Sequence, residues 1–71
     1  MDRHSKARKL LDKFDWTHLN TGKGPNGGTL EWWMKDGRVV IVQFYPDGDG
    51  VDFYFNSNVN SWEQTAIELS K

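Results

Sequence analysis

Residues 29–45 read TLEWWMKDGRVVIVQFY, and this stretch decides the fold. Two runs rich in β-branched and aromatic residues, 29–35 and 38–45, flank the dipeptide Asp36-Gly37. Asp-Gly between such runs is among the strongest short-range signals for a two-residue hairpin turn. The stretch therefore predicts an antiparallel β-hairpin.

A third strand follows at residues 51–55, after a loop rich in Asp and Gly at 46–50. A loop of five residues places Tyr45 opposite Val51 and Gln43 opposite Phe53. The prediction is thus a three-stranded antiparallel meander, followed by a polar connector at 56–60.

One helix is predicted on each side of the meander. The first extends from Asp2 or Arg3 to Phe14, and its apolar residues have the spacing i, i+3, i+4, i+7: Ala7, Leu10, Leu11 and Phe14. The second begins at Ser61, which has the capping-box spacing with Gln64, and its apolar residues are Trp62, Ala66 and Leu69. The expected fold is a single α+β domain over residues 1–71, a three-stranded antiparallel meander with two helices on one face, in the order α-β-β-β-α.

The segment 15–28 between the first helix and the meander is the least regular part of the chain. Its first half suggests a short extended piece in which Trp16 covers the core. Its second half, 21–28, has four glycines and one proline and is interpreted as a loop. Such a long connection is typical of a functional or flexible loop, and it could also cover one face of the sheet.

Strand alternation sorts the meander into two faces. The face expected to pack against the helices consists of Leu30, Trp32, Met34, Val39, Ile41, Gln43, Tyr45, Val51, Phe53 and Phe55. The other face has a charged rim but an apolar centre made of Trp33, Val40, Val42, Phe44 and Tyr54. An exposed apolar patch with a polar rim usually marks an interaction site. We therefore expect a partner-binding surface there, with Lys23 at its edge, unless the central strand is simply apolar on both sides or segment 15–28 covers it.

Composition limits the functional classes. The chain has no cysteine, which excludes disulfides and thiolate metal sites, and ten aromatic rings supply the apolar surface. Its formal net charge of −1 argues against a general nucleic-acid binder. No run of 18 apolar residues occurs, and the start of the chain is amphipathic, so we expect a cytoplasmic protein that makes no membrane contact.

Two loops share some features with ligand-binding loops. The turn Asp47-Gly48-Asp49-Gly50 has the oxygen-rich look of a calcium loop, but aligning it to an EF-hand puts Tyr45 and Asn56 at the two end positions, where neither fits. Loop 21–28 lacks the order of residues of a phosphate-binding Walker loop. We expect no metal and no cofactor, with a weak cation site at the turn as the alternative.

An enzyme is not expected. His4 and His18 are far apart in sequence, and no nucleophile or paired carboxylate is tied to either by a known pattern, so both are expected to be solvent-exposed. The order α-β-β-β-α also occurs in double-stranded-RNA-binding domains and in HicA-type toxins. Double-stranded-RNA-binding domains have basic residues at the start of the last helix, and HicA-type toxins have a histidine motif. The chain has neither feature, so neither family is assigned.

The leading hypothesis is a small intracellular protein-interaction module that binds a protein partner or forms a homodimer. Stand-alone domains of this size include inhibitors of larger machines, such as phage-encoded anti-CRISPR proteins. The alternative is nucleic-acid binding by the basic face of the first helix, formed by Arg3, Lys6, Arg8, Lys9 and Lys13.

Overall fold

The hairpin at the centre of the sheet forms as predicted. The computed structural model describes residues 2–55 and 58–71, and in it β2 (Thr29–Lys35) pairs antiparallel with β3 (Arg38–Phe44). The turn residues Asp36 and Gly37 both have positive φ, 51° and 77°, as a type I′ turn requires. Every predicted pair of this hairpin, from Lys35 opposite Arg38 onward, is confirmed.

The sheet has five strands, so the prediction of three is wrong. To the hairpin are added β1 (Thr17–Lys23), β4 (Val51–Phe55) and β5 (Asn58–Val59). Neighbouring strands follow one another in the order β1-β2-β3-β4-β5, and each pair is antiparallel. The element order is α-β-β-β-β-β-α, while the α+β class with an antiparallel sheet and two helices is confirmed. Positions 56 and 57 of the predicted connector lie outside the described residues.

Strand β1 occupies most of the segment interpreted as irregular. It pairs with β2 from Thr17 opposite Met34 to Lys23 opposite Thr29, with one register shift between His18 and Asn20. A single turn of 3₁₀ helix at Pro25–Gly27 then leads into β2. The segment therefore widens the sheet at one edge and does not cover a face.

The two helices begin at side chains that cap them. In α1 (Arg3–Lys13), the Asp2 carboxylate accepts a hydrogen bond from the backbone N–H of Ser5 at 2.8 Å, which lowers the pKa of Asp2. In α2 (Trp62–Ser70), the Ser61 hydroxyl accepts from the N–H of Gln64 at 3.1 Å. Both predicted helix starts are confirmed. Within the described residues, no helix is long and apolar enough to cross a membrane.

The pairing of β3 with β4 differs by one residue from the prediction. Phe44, not Tyr45, lies opposite Val51, and Val42 lies opposite Phe53. The connection is therefore six residues long, closed by a hydrogen bond from Tyr45 N–H to the Gly50 carbonyl at 2.9 Å. Because a shift of one residue exchanges the faces of a strand, Phe53 joins the side that carries Val42.

The helices pack on the face that was predicted to be exposed. The core residues below 10 % exposure are Ala7, Leu11, Trp16, Trp33, Val40, Val42, Phe44, Phe53 and Leu69. Four of the five residues of the predicted partner-binding patch are thus buried under α1 and α2, and that part of the prediction is wrong.

Charged residues on the face that the helices cover explain why this face was predicted to be exposed. Glu31 accepts a hydrogen bond from Arg8 of α1 at 3.0 Å, and Arg38 donates to Glu68 of α2 at 3.1 Å. These side chains suggested a solvent-facing surface, but each has a partner of opposite charge on a helix. The face is therefore compatible with burial.

Candidate interaction surface

The side of the sheet turned away from the helices is uncovered and apolar. Since side chains alternate along a strand, the residues of the central hairpin on this side are Leu30, Trp32, Met34, Val39, Ile41 and Gln43. We call this side the open face.

A continuous row of side chains crosses the open face. The register places Asn20, Trp32, Ile41, Tyr54 and Val59 side by side on β1, β2, β3, β4 and β5 in turn. Four of the five are aromatic or aliphatic, and all five are at least partly exposed to solvent. The row therefore forms an apolar strip across β2, β3, β4 and β5, with the polar Asn20 at its β1 end.

Aliphatic neighbours widen this strip. Met34 and Val39 pair beside the row, and their side chains are 38 % and 47 % exposed. Val59 at the far edge is 57 % exposed. Leu30, on the other side of the row, is partly exposed. The open face thus presents contiguous apolar surface where an antiparallel sheet covered on one side usually presents polar residues.

Trp32 extends its indole along the sheet toward β1. A Cβ atom placed on Gly22 would lie 3.2 Å from Cζ3 of the Trp32 ring. The ring therefore covers the glycine of the edge strand, a cross-strand arrangement that fills the space left by the missing side chain. This contact broadens the apolar strip at its β1 end.

The polar groups at one end of the open face bind each other. The Tyr54 hydroxyl donates to Oε1 of Gln43 at 2.9 Å, and the Tyr45 hydroxyl donates to Oδ2 of Asp52 at 2.5 Å. The hydrogen bond to Asp52, with partial burial, raises the pKa of Tyr45 to about 12. These pairs leave few polar groups on the face that need an external partner.

The structure separates the residues predicted to form one site. Trp33, Val40, Val42 and Phe44 lie in the core, while Tyr54 lies on the open face and Lys23 is exposed at the end of β1. The open-face residues that the prediction assigned to the core are Leu30, Trp32, Met34, Val39 and Ile41. The hairpin register identified this set correctly, but the choice of the face that receives the helices was wrong, and the one-residue shift of β4 places Tyr54 on the open face.

Two of the five basic residues of α1 contact side chains outside the helix. The guanidinium of Arg8 pairs with Glu31 and lies 4.3 Å from the centroid of the Phe44 ring. The ammonium of Lys6 lies 5.0 Å from the Trp62 centroid. Lys9 is exposed, and so are Arg3 and Lys13. Nucleic-acid binding by this helix stays a prediction, with fewer free cations than the sequence indicated.

The two histidines have structural contacts. His4 is only partly exposed, contrary to expectation: its Nε2 lies 3.0 Å from the Gly50 carbonyl and its ring packs edge-on against Phe44. His18 is exposed, and its ring stacks on Trp33 at 4.9 Å between centroids.

His18 also lies 2.8 Å from the Thr21 hydroxyl, a geometry that resembles a nucleophile and its base. However, the same Nε2 lies 3.0 Å from the Asn20 carbonyl oxygen, which can only accept a hydrogen bond. Nε2 donates to the carbonyl in one tautomer and accepts from the hydroxyl in the other, and both partners belong to β1. The contact is a link within β1.

The acidic turn was the candidate cation site. Asp49 lies 3.4 Å from the backbone N–H of Arg3, so its carboxylate is turned toward the start of α1. Among residues 2–55 and 58–71, no three His, Cys, Asp or Glu side chains are grouped so that they could hold a metal ion.

Comparisons with known proteins return no match: no family model fits the chain, and no curated protein or solved structure is significantly similar to it. The geometry of the open face is therefore the basis for assigning a function.

Proposed function

We propose that this protein is a small protein-interaction module that binds through the open face. The observation that carries the proposal is the row Trp32, Ile41, Tyr54 and Val59, which crosses the sheet on the side that neither helix covers. Trp and Tyr are the residues that most often supply binding energy at the centre of protein interfaces.

The chemistry of the face favours a protein over other classes of ligand. Nucleic acids are held mainly by Lys and Arg contacts to phosphates, whereas the charged residue on this side of β2, β3 and β4 is the acidic Asp52. Small molecules prefer concave pockets, whereas this surface is one side of a sheet. An extended apolar area with aromatic residues fits an apolar protein surface of similar size.

An inhibitory role is one form that such binding would take. With a net charge of −1, the protein carries too little negative charge to imitate DNA. Inhibition of a larger assembly would therefore operate by covering a surface of the target through the open face.

The two isoleucines of the chain provide a matched test. Ile41 lies at the centre of the open face, and Ile67 is 53 % exposed on α2. The wild type, Ile41→Lys and Ile67→Lys would be compared for self-association and for proteins retained from an extract of the producing cells. The circular dichroism spectrum of each variant would verify its fold.

We expect at least one partner, a second copy included, that binds wild type and Ile67→Lys but binds Ile41→Lys about tenfold more weakly or worse. Equal binding by all three folded proteins in both assays would show that the open face is not an interface.

A further inference from the structure

We infer that the partner of the open face is a second copy of this chain, so that two sheets pack face to face around a two-fold axis. This inference rests on the proposed function and names its partner. Three properties of the described residues support it: the charge of the face, its internal hydrogen bonds and its size.

The charge distribution suits self-association. On the open side of the described strands, Asp52 is the only carboxylate, and no ammonium or guanidinium group belongs to this side. A two-fold axis brings identical surfaces together, so a charged centre would repel its own copy. Here the centre is Trp32 and Ile41, and a second copy opposes apolar groups with apolar groups. On the described strands, a foreign partner would find only the Asp52 carboxylate as a charge to set its orientation.

The hydrogen bonds of the face also suit a copy of itself. Tyr54 is bonded to Gln43, and Tyr45 is bonded to Asp52. Covering a polar group that has no partner is costly, whereas groups already paired with each other are covered at little cost. An apolar second copy therefore meets the requirements of the surface without supplying donors or acceptors.

The size of the face predicts a reversible dimer. The three longest strands have seven residues, β4 has five and β5 has two, so strand rises of ~3.3 Å per residue and a spacing of ~4.8 Å give a footprint of at most roughly 23 Å by 19 Å. This area is smaller than the ~800 Å² per partner of a standard interface. We therefore expect a weak dimer that dissociates and re-forms readily. A chain of 71 residues without cysteine also gains stability from such an association, because small domains bury little surface on their own.

The exposed edge of β1 is a less suitable interface. Strand addition requires a regular ladder, but β1 has a register shift between His18 and Asn20. Irregularities of this kind interrupt edge-to-edge pairing in natural sheets. The face of the sheet, and not its edge, is therefore assigned to the dimer.

Sedimentation equilibrium across protein concentrations tests the inference. We expect the wild type to rise from 8.2 kDa toward twice that mass as its concentration approaches about 1 mM. Ile41→Lys and the more exposed Val39→Lys should weaken the dimer by about tenfold or more, and Ile67→Lys should not. Val39 is 47 % exposed, so its replacement tests the face even where Ile41→Lys fails to fold.

Single-cysteine variants give the geometry, because the chain has no cysteine of its own. Packed sheets lie about 10 Å apart, so a bis-maleimide of that span, which adds one thiol at each end, should join two copies of Met34→Cys or Val39→Cys. Ile67→Cys, on the opposite side of the molecule, is the control and should stay uncrosslinked.

The outcomes separate this inference from the proposed function. A concentration-dependent dimer that is lost only in the open-face variants supports both. If the wild type is a monomer that binds a foreign protein through Ile41, the inference of a homodimer is wrong and the proposed interaction module is supported. A monomer with no face-dependent capture overturns both, and a dimer that only Ile67→Lys weakens overturns the assignment to this face.

Discussion

Nη2 of Arg8 lies 3.0 Å from Oε2 of Glu31, and the glutamate side chain is 8 % exposed while that of the arginine is 46 % exposed. The other carboxylate oxygen of Glu31 accepts a hydrogen bond from Nε1 of Trp33 at 3.0 Å. The Glu31 carboxylate on the helix-facing side of the sheet is therefore bonded both to α1, through Arg8, and to the core, through Trp33. This relationship allows the helices to cover a face that has an acidic residue in it.

Arg8→Met should lower the free energy of unfolding by about 1–3 kcal/mol, because the nearly buried carboxylate then keeps, among the described residues, only the indole N–H as its donor. Adding Glu31→Gln should recover part of the loss, since the amide oxygen still accepts from Trp33 and no charge remains buried. Urea unfolding of the single and double variants measures both effects.

Lys9→Met is a suitable control for this pair, because Lys9 is an exposed cation on the same helix. Its replacement should change stability by less than about 0.5 kcal/mol. If Arg8→Met and Lys9→Met have the same small effect, the contact with Glu31 is an ordinary surface ion pair that does not determine which face is buried.

This pair also shows where sequence reasoning reaches its limit. The hairpin register follows from the local turn chemistry of Asp36-Gly37, so the sorting of β2 and β3 into two faces could be predicted. Which face receives the helices depends on whether Glu31 and Arg38 find partners, and these lie 23 and 30 residues away in the chain. No local pattern contains that information.

The sequence predicts a short extended piece at the start of segment 15–28, but it does not predict that β1 pairs with the sheet, for a related reason. Its side chains are exposed on both sides along nearly its whole length, so it has no alternation of apolar and polar residues to recognise. It becomes a strand because β2 offers unpaired backbone groups beside it. The one-residue difference at β4 likewise arose from the length of the turn after Phe44, which alternation alone does not determine.

Thr65→Val should stabilise the protein. Thr65 is fully buried on α2, and its hydroxyl has no hydrogen-bond partner among the described residues. Valine keeps the shape and removes the unsatisfied group, so we expect a gain of about 1 kcal/mol and a melting temperature about 4–8 °C higher.

Thermal unfolding followed by circular dichroism measures this change. Thr65→Ala is the control: it also removes the hydroxyl, but the missing methyl leaves a cavity, so it should be less stable than the valine variant. A valine variant less stable than wild type would show that the hydroxyl has a partner.

Gly28→Ala should be strongly destabilising. A Cβ atom at position 28 would lie 2.6 Å from the backbone carbonyl oxygen of Phe44, so β2 and β3 would have to separate where their pairing begins. We expect a loss of about 2–3 kcal/mol in urea unfolding. Gly50→Ala is the control, because the atoms nearest to its Cβ would be those of the Tyr45 side chain, at 3.3 Å and more, and not a backbone carbonyl at 2.6 Å. Equal stability of the two variants would contradict the close approach at Gly28.

The bond between Tyr45 and Asp52 should make stability depend on alkaline pH. Because the folded pKa of Tyr45 is raised to about 12 from 10.0, the folded state favours the protonated phenol. The contribution is complete below pH ~10 and is lost as the pH rises through ~12. The difference in unfolding free energy between wild type and Tyr45→Phe should therefore shrink across this interval.

Tyr54→Phe leaves Tyr45 as the single tyrosine, so the ultraviolet absorbance of tyrosinate then reports its ionisation directly. In that background, Asp52→Asn should return the pKa of Tyr45 toward its ordinary value, because the charged acceptor of the hydrogen bond is removed. An unchanged titration curve would mean that the carboxylate does not hold the phenol proton. The polar end of the open face would then be free to hydrogen-bond with a partner.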